Sequence, residues 1–360
     1  MIAADGYRQP YIKTGYEYII PNRTTDKFAC NAKQDGKVIS VNDKGIIFEY
    51  ADGQRYGVEL GKIFSKCEDS TYPYTIVSRL KTGDIFKKGD NIAYNTSFFE
   101  EDMLDPSKII TKSAIMVKTA LFESNQTFED SSSISKRVGI ALNATNTYVR
   151  SIVLDFDQNI HQLVKVGQKV DYKDKLLLIE DVITSKGQFS QASLDTLQKL
   201  ATQSPSCKYR GVIEKVEMYY NGELEDMSES LRAVATTSNK NLKTIADSTN
   251  NIALTGRVTS DYSIDGVPLT PKKCEIRIYL TTNTLANTGD KGIFASQLKS
   301  VFGEVMDYDM HTKSGERVDA VFGMRSISAR ICLSPTIMGT TTSLLKVIAK
   351  QAIGIYKGKS

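Results

Sequence analysis

The sequence predicts an α+β fold in which β-strands dominate. Short apolar stretches separated by turn residues fill residues 36–60, which is typical of strands joined by tight turns. Helical spacing of apolar residues is confined to a few segments, of which 344–352 is the clearest. With 360 residues, 41% of them apolar and 24% charged, the chain is globular and long enough for two or three structural units.

The first strands are delimited by their turns. We expect strands over 37–40, 45–50 and 55–60, because Asn42–Gly45 and Asp52–Gly53 have the composition of tight turns. Further strands are predicted over 109–122, 148–157, 212–220 and 274–280.

Two stretches, 80–94 and 164–180, share a pattern of a glycine, an apolar residue, a turn and an apolar strand. This pattern occurs in barrel-sandwich modules such as biotinyl and lipoyl carrier domains. A carrier would present its modified lysine in a tight hairpin flanked by apolar residues, and neither stretch does so. We therefore favour a plain β-scaffold, with a carrier or single-chain binding module as an alternative.

The middle of the chain differs in character. Leucines at helical spacing predict a helix over 193–201. Asn221-Gly222 is the strongest two-residue hairpin signal in the chain. Residues 223–250 are acidic and then rich in Ser, Thr and Asn, so we expect a mobile insert that offers a surface to a partner. A closing helix is predicted around 344–352, with its apolar residues on one face.

Composition excludes several classes of protein. The five cysteines are scattered without a Cys-x-x-Cys pair, which predicts reduced thiols, and two histidines argue against a zinc site. There is no apolar signal core and no run of about 18 apolar residues. We therefore expect a soluble, cytoplasmic protein with no membrane partner. The net charge of +4 is mildly basic, and the excess lies in residues 271–360.

The candidate site lies in residues 289–330. Lys291, Lys299 and Arg330 could converge on a polyphosphate there, or they could be three solvated side chains. Asp155 and Asp157 look like part of a metal-binding aspartate triad, but Gln158-Asn159 follow where a third acid would stand, so we do not expect a metal site.

Several motifs, taken in order, resemble the C-terminal half of the β subunit of multisubunit DNA-directed RNA polymerases. The resemblance covers about 8–157 and 275–355. The motifs are Arg8-Gln9, residues 14–18 (TGYEY), residues 80–93 (LKTGDIFKKGDNIA), residues 128–137 (FEDSSSISKR), Gly289-Asp290-Lys291 with Lys299 eight residues later, Val318-Asp319 and residues 327–330 (ISAR).

The resemblance implies a barrel-sandwich-like module and a double-psi β-barrel interrupted by a flap-like insertion. The implied domains are an N-terminal connector (1–28), a barrel-sandwich-like module (29–100), the first part of the double-psi barrel (101–157), the flap-like insertion (158–271), the second part of the barrel (272–340) and a C-terminal helix (341–360).

The resemblance also implies a catalytic-core subunit of an RNA polymerase that is not active alone. Lys291 and Lys299 would contact the RNA 3′ end and nucleotide phosphates, and Arg330 would hold the incoming triphosphate. Glu129 and Asp130 would lie near the second Mg²⁺ through water, while a β′-type partner holds the metal with its aspartates. Implied further site residues are Arg8 and Gln9, which would contact the RNA backbone.

The implied partners are an N-terminal β-type subunit, β′-type subunits, a promoter-specificity factor, the DNA template, the RNA product and NTPs. A β subunit split in this way is most similar to those of giant-phage RNA polymerases, which would place the protein in the host cytoplasm.

The sequence departs from the family between the two lysines. Residues 294–297 (FASQ) replace the family's Gly-Arg-His-Gly, and Ser300 replaces a glycine. We expect a folded loop between the lysines, with a backbone unlike that of the family. The departure also motivates a different function, a non-catalytic β-like scaffold that binds nucleic acid or polymerase subunits.

Overall fold

The structure is a computed structural model that describes residues 3–67, 70–180, 205–252, 255–259, 261–330 and 333–358. The chain divides into two compact units. Unit A comprises Met1–Ala29, Thr96–Ala144 and Thr284–Ser360, and unit B comprises Cys30–Asn95 and Thr145–Asn283. The helix predicted over 193–201 lies outside the described residues.

Strands dominate the secondary structure, as the sequence predicts. The strands are, in chain order, β1 (Ala29–Asn31), β2 (Gly36–Val41), β3 (Gly45–Tyr50), β4 (Arg55–Glu59), β5 (Gly61–Cys67), β6 (Ser70–Val77), β7 (Ile85–Phe86), β8 (Asn91–Asn95), β9 (Phe99–Glu101), β10 (Ile109–Thr111), β11 (Thr119–Leu121), β12 (Ser131–Ser135), β13 (Ala144–Asp155), β14 (Asn159–Leu163), β15 (Lys169–Val170), β16 (Leu177–Glu180), β17 (Gly211–Asn221), β18 (Ser263–Ile264), β19 (Val267–Pro268), β20 (Lys273–Thr284), β21 (Lys291–Phe294), β22 (Leu298–Met306), β23 (Met310–His311), β24 (Arg317–Val318) and β25 (Ala320–Phe322). The helices are α1 (Lys136–Ala141), α2 (Glu229–Ser248), α3 (Met324–Ser328) and α4 (Ser334–Tyr356), with 3-10 turns at Tyr16–Tyr18, Ile20–Asn22 and Leu224–Asp226. The fold is β-rich α+β.

Unit B contains a four-stranded antiparallel sheet in the order β4-β3-β2-β7. Its first three strands confirm those predicted over 37–40, 45–50 and 55–60. Alternate residues of β2 and β3 point inward, because side chains alternate between the faces of a strand. Val38, Ile46 and Phe48 thereby form a buried core with Phe86.

The larger sheet of unit B has the order β1-β8-β6-β13-β20-β17-β15, with β5 paired to β6. Strands β13, β17 and β20 confirm the predictions over 148–157, 212–220 and 274–280. Ile276 and Ile278 of β20 are fully buried with Met218 of β17 in the core of this sheet.

Two expectations for the middle of the chain are wrong. Asn221-Gly222 does not turn into a two-residue hairpin, because β17 pairs with β20, which lies beyond α2. A Cβ atom on Gly222 would meet the ring of Phe156 at 2.7 Å, so this glycine permits close packing. Instead of a mobile insert, residues 223–250 contain the 20-residue helix α2.

Helix α2 forms because its few apolar residues lie on one face. Ser228 accepts a hydrogen bond from the Leu231 backbone N–H at 3.4 Å and caps the first turn. Leu231 and Ala235, one turn apart, are fully buried in the core of unit B. Towards its C-terminus, the Ser248 hydroxyl accepts a hydrogen bond from the Asn42 side-chain amide. The helix therefore contacts both sheets of unit B.

The second face of the β17–β20 pair is polar and aromatic. Glu275 is fully buried and accepts hydrogen bonds from the Tyr262 hydroxyl at 2.5 Å and from Arg277 Nε at 2.8 Å. The Arg277 guanidinium lies 5.1 Å from the ring centre of Tyr219 and 5.5 Å from that of Tyr262. Burial, and then the nearby Glu217 carboxylate, raise the pKa of Tyr219 to about 12. This face therefore buries charge only where a partner compensates it.

Unit A is built around a five-stranded mixed sheet in the order β11-β25-β12-β22-β21. Strand β12 runs parallel to β22 and antiparallel to β25. Ile134, Phe302 and Ala320, each from a different strand, form a buried cluster with Val138 of α1. The continuous strand predicted over 109–122 is wrong, because the segment forms two short strands, β10 and β11.

Helix α4 confirms the predicted closing helix. Its apolar side chains are nevertheless exposed: Leu344 is 58% exposed, Leu345 41% and Ile348 50%. The Lys350 ammonium pairs with Glu316 at 2.7 Å and ties the helix to unit A. Across the described ranges, the strands form several sheets without a closed barrel, and no helix is long and apolar enough to cross a membrane.

Candidate functional site

The β21–β22 hairpin presents Lys291 and Lys299 on the same face. Lys291 lies opposite Val301, and Ile293 lies opposite Lys299. Since the two lysines are diagonal neighbours in an antiparallel pair, their Cα atoms are about 7–8 Å apart and their Cβ atoms are somewhat closer. Both side chains are exposed. An eight-residue spacing in sequence therefore becomes a close pair of cations.

The residues before Lys291 build the turn that starts the hairpin. Gly289 has φ +95°, which favours glycine, and its N–H donates to the Phe302 carbonyl at 2.8 Å. The Asp290 carboxylate accepts a hydrogen bond from the Asn287 N–H at 2.8 Å. In the Gly-Asp-Lys motif, the first two residues thus shape the backbone, and the lysine side chain remains exposed.

The opposite face of the hairpin packs into unit A. A Cβ atom on Gly292 would meet the ring of Phe302 at 2.5 Å, so only glycine fits there. The Ser300 hydroxyl is buried and donates to the Ser132 hydroxyl of β12 at 2.7 Å. The serine that departs from the family pattern is therefore satisfied by a second buried serine.

The expected folded loop between the lysines is confirmed as a tight hairpin turn. Ala295 and Ser296 occupy it with φ of +48° and +63°. The Gln297 N–H closes the turn by donating to the Phe294 carbonyl at 3.2 Å. These torsion angles match the type I′ turn that suits hairpins, which usually contains Asn-Gly.

Asp130 and Arg330 form an ion pair next to the hairpin. The Val301 N–H donates to the Asp130 carbonyl at 2.9 Å, which places Asp130 at the start of β12, beside β22. Glu129 has φ +54°, and its carbonyl accepts a hydrogen bond from the Ser326 hydroxyl of α3. Helix α3 thereby brings Arg330, two residues beyond its end, to the carboxylates.

The structure thus brings five of the predicted site residues into one region of unit A. Val301 is the register partner of Lys291 on one side and of Ser131 on the other. Within the described residues, neither the Lys291 nor the Lys299 ammonium group has an ion-pair or hydrogen-bond partner. Three cations beside two exposed carboxylates, of which Asp130 engages Arg330, form a surface that suits phosphate oxygens. The five are Lys291, Lys299, Arg330, Glu129 and Asp130.

Arg8 and Gln9 lie elsewhere in unit A, against β9 and β10. Arg8 is exposed and anchored by its N–H, which donates to the Ala114 carbonyl at 2.8 Å. Gln9 is 4% exposed: its amide donates to the Glu101 carbonyl at 2.9 Å and accepts from the Lys13 ammonium at 2.9 Å. Gln9 therefore holds local structure, whereas Arg8 is accessible to a ligand.

Sequence reasoning missed the contacts that hold this region in shape, although Arg137 and Asp319 both lie in motifs that resemble the family. Arg137 pairs with Asp319, whose side chain is 8% exposed and accepts from the Lys118 N–H at 3.1 Å. Ser326 and Glu123 anchor α3, the latter by accepting from the Arg325 N–H at 2.6 Å. These contacts join positions about 200 residues apart, and no local pattern identifies them.

Metal ligands are sparse in the described residues, where no group of three or more His, Cys, Asp or Glu side chains could hold an ion. Asp155 pairs with Lys273 at 3.4 Å. The Asp130 carboxylate is itself already engaged by Arg330.

Comparison with known proteins adds no assignment. No protein-family model matches the chain, and no curated protein matches it significantly. A function for this protein has to be argued from its own residues.

Proposed function

We propose that this chain is a catalytic-core subunit of a multisubunit DNA-directed RNA polymerase, corresponding to the C-terminal part of β. One observation carries the proposal. Lys291 and Lys299 share one exposed face of a hairpin, and the Asp130–Arg330 pair adjoins that hairpin. Three of the motifs that resemble the family, at 128–137, 289–299 and 327–330, thus come together in space although they lie in two distant parts of the chain.

The interleaving of strands in unit A supports the proposed architecture, although the described sheet is not closed into a barrel. In the proposal, 101–157 and 272–340 build a double-psi barrel that a flap-like insertion over 158–271 interrupts, and 29–100 forms a barrel-sandwich-like module. Strands from both barrel segments alternate in the five-stranded sheet, since β12 lies between β25 and β22. This alternation of two segments is what an interrupted barrel requires.

In the proposed chemistry, this chain binds and orients phosphates. The two ammonium groups bind the phosphates of the RNA 3′ end and of the incoming nucleotide, and they offset negative charge that develops during transfer. Arg330 holds the triphosphate with its planar fork, which Asp130 orients before the nucleotide arrives. Mg²⁺, held mainly by a β′-type partner, would supply the two-metal chemistry, with Glu129 and Asp130 near it through water.

The proposal makes the chain inactive alone. It requires an N-terminal β-type subunit, β′-type subunits with a three-aspartate metal motif and a promoter-specificity factor, on a DNA template with an RNA product. If the gene is a phage gene, the enzyme works in the host cytoplasm. Arg8 is a further candidate for RNA-backbone contact because it is exposed.

The test is nucleotide addition by the reconstituted complex. We expect Lys291→Ala, Lys299→Ala and Arg330→Ala each to slow addition by about 10²-fold, because each removes a charged group aimed at a phosphate. Lys313→Ala, an exposed lysine in the β23–β24 hairpin, is the matched control and should leave the rate unchanged. Assembly of each variant is checked by size-exclusion chromatography. Near-normal addition by both Lys291→Ala and Arg330→Ala would overturn the site.

The non-catalytic scaffold is the second candidate, because the hairpin turn carries Ala295-Ser296 and no cation of its own. Purification of the native complex separates the two functions. A polymerase requires a co-purifying subunit with an intact three-aspartate motif, and a complex without one would favour the scaffold.

A further inference from the structure

Unit B carries a second candidate site, at a pair of stacked tyrosines on its surface. The ring centres of Tyr148 and Tyr209 are 3.7 Å apart and their planes differ by 8°. Aromatic side chains usually prefer offset or edge-on arrangements. The two rings are 39% and 43% exposed, so this parallel pair is accessible at the surface.

The tyrosines are held in place by the core beneath them. Tyr148 lies in β13, and Tyr209 lies two residues after Cys207, whose thiol is buried and donates to the Tyr209 carbonyl at 2.8 Å. The Lys173 N–H donates to the Cys207 carbonyl at 3.0 Å, which fixes the 171–174 turn against the same segment. The stacked pair is therefore part of a built surface.

Several cations lie close to the two tyrosines along the chain. Arg150 lies two residues from Tyr148 on β13 and so projects from the same face of the strand. Lys208 is exposed next to Tyr209, and Lys173 lies 5.6 Å from the ring centre of the exposed Tyr172. Among the described residues, Arg150 and Lys208 have no carboxylate within ion-pair distance.

The acids in this region are already engaged. The Asp174 carboxylate accepts from the Asp171 N–H at 2.7 Å, and the Asp171 carboxylate accepts from the Tyr172 N–H at 2.7 Å. Asp171 also lies 3.9 Å from Arg210. The four basic residues of this region still outnumber these two carboxylates, which keep their negative charge, so the surface is basic with exposed aromatic rings among its cations.

We propose that this surface, defined by Tyr148, Tyr209, Tyr172, Arg150, Lys208 and Lys173, binds single-stranded nucleic acid. Unpaired bases stack on exposed aromatic rings while phosphates pair with nearby cations, and this combination tolerates any base sequence. A duplex would offer only its phosphates, because its bases are already stacked on each other. The surface belongs to unit B and is distinct from the Lys291 hairpin.

The test is fluorescence anisotropy of the full chain with labelled 20-nucleotide poly(dT) and poly(rU). The arms are the wild type, Tyr148→Ala/Tyr209→Ala, Arg150→Glu/Lys208→Glu, Lys291→Ala/Lys299→Ala, and the control Tyr356→Ala, a tyrosine in α4 that is 92% exposed. We expect Tyr148→Ala/Tyr209→Ala to bind the single strands about 10-fold more weakly or worse.

Arg150→Glu/Lys208→Glu should have a lower affinity that depends less on salt concentration, and Tyr356→Ala should bind normally. The stronger of the DNA and RNA probes identifies the natural ligand.

Each outcome decides the proposal. If both surface variants keep the affinity of the wild type and unfold at the same temperature, the proposed binding surface is wrong. It is also wrong if duplex DNA or polyglutamate displaces the labelled single strand as readily as an unlabelled single strand does. Loss of binding in Lys291→Ala/Lys299→Ala alone assigns the binding to the hairpin and also overturns it. A different result is that the Lys291→Ala/Lys299→Ala variant binds the single strand normally while the reconstituted wild-type complex fails to add nucleotides. This combination would overturn only the proposed polymerase function.

Discussion

The pKa of Tyr219 depends on its burial and on the charged groups around it. Its hydroxyl lies 3.5 Å from the Glu217 carboxylate, and its ring stacks against Tyr262. The buried environment disfavours the phenolate, which is why the pKa of Tyr219 rises to about 12. Burial and Glu275 also raise the pKa of Tyr262. The tyrosines are therefore neutral hydrogen-bonding groups at any physiological pH.

This pKa predicts alkaline sensitivity. A folded-state pKa above the unfolded value of about 10 means that the stabilisation is fully present below pH 10 and is lost as the pH rises towards 12. We expect the free energy of unfolding, measured by urea denaturation between pH 9 and 11.5, to fall less steeply in Tyr219→Phe than in wild type. The difference should be about 1 kcal/mol after allowance for solvent screening. Tyr356→Phe is the control, and equal slopes in all three proteins would contradict the prediction.

At the scale of an element, the β21–β22 hairpin combines a well-packed inner face with a strained turn. Ala295 and Ser296 both have left-handed backbone angles, which cost about 1–2 kcal/mol per residue for side chains other than glycine or asparagine. The strain lies at the tip of the element that carries both candidate lysines.

Relieving the strain should stabilise the protein. We expect Ala295→Asn/Ser296→Gly to raise the free energy of unfolding by about 1 kcal/mol, because Asn-Gly suits a type I′ turn. Ser314→Gly is the control: its backbone is not left-handed, so glycine there should lower stability slightly. Both are measured by chemical denaturation. A destabilised double variant would show that the Ala-Ser side chains make contacts that outweigh the strain.

Elements were predictable where the pattern was local. The turn signals in 37–60 located β2, β3 and β4 because each strand pairs with a sequence neighbour. Asn221-Gly222 misled because the turn preference of a dipeptide is weaker than the pairing of β17 with β20 along nine register positions. The sparse apolar residues of α2 were insufficient to predict burial, although Leu231 and Ala235 are fully buried.

At the scale of the whole molecule, the candidate site was predicted only through the order of its motifs, and its function stays a prediction. The spacing of Lys291 and Lys299 could not distinguish a phosphate site from solvated side chains. The pairing of Asp130 with Arg330 spans 200 residues, and it depends on a mixed sheet that no local pattern encodes. The buried contacts of Ser300, Ser326 and Asp319 follow from that sheet and were missed with it.

The exposed apolar face of helix α4 predicts that substitutions there have little effect on the stability of the whole chain. Ile348 is 50% exposed, so Ile348→Lys should change the free energy of unfolding by less than about 0.5 kcal/mol. Ile134→Ala, at a side chain that is 1% exposed in β12, should lower it by about 2–5 kcal/mol. Urea denaturation measures both. A large loss in Ile348→Lys would show that the apolar face of α4 is covered in solution.

The alternation of strands in unit A also sets the order in which the protein can fold during synthesis. The neighbours of β12 in the sheet are β22 and β25, and the last of these ends at Phe322, whereas β12 ends at Ser135. At roughly 5–20 residues per second, a ribosome needs roughly 10–40 s to supply them. Until β22 and β25 are made, β12 lacks its sheet neighbours, whereas the last strand of unit B, β20, is complete at Thr284, before either of them begins. The lysine hairpin and its carboxylates therefore assemble last, and a nascent chain is exposed to aggregation through that unpaired edge.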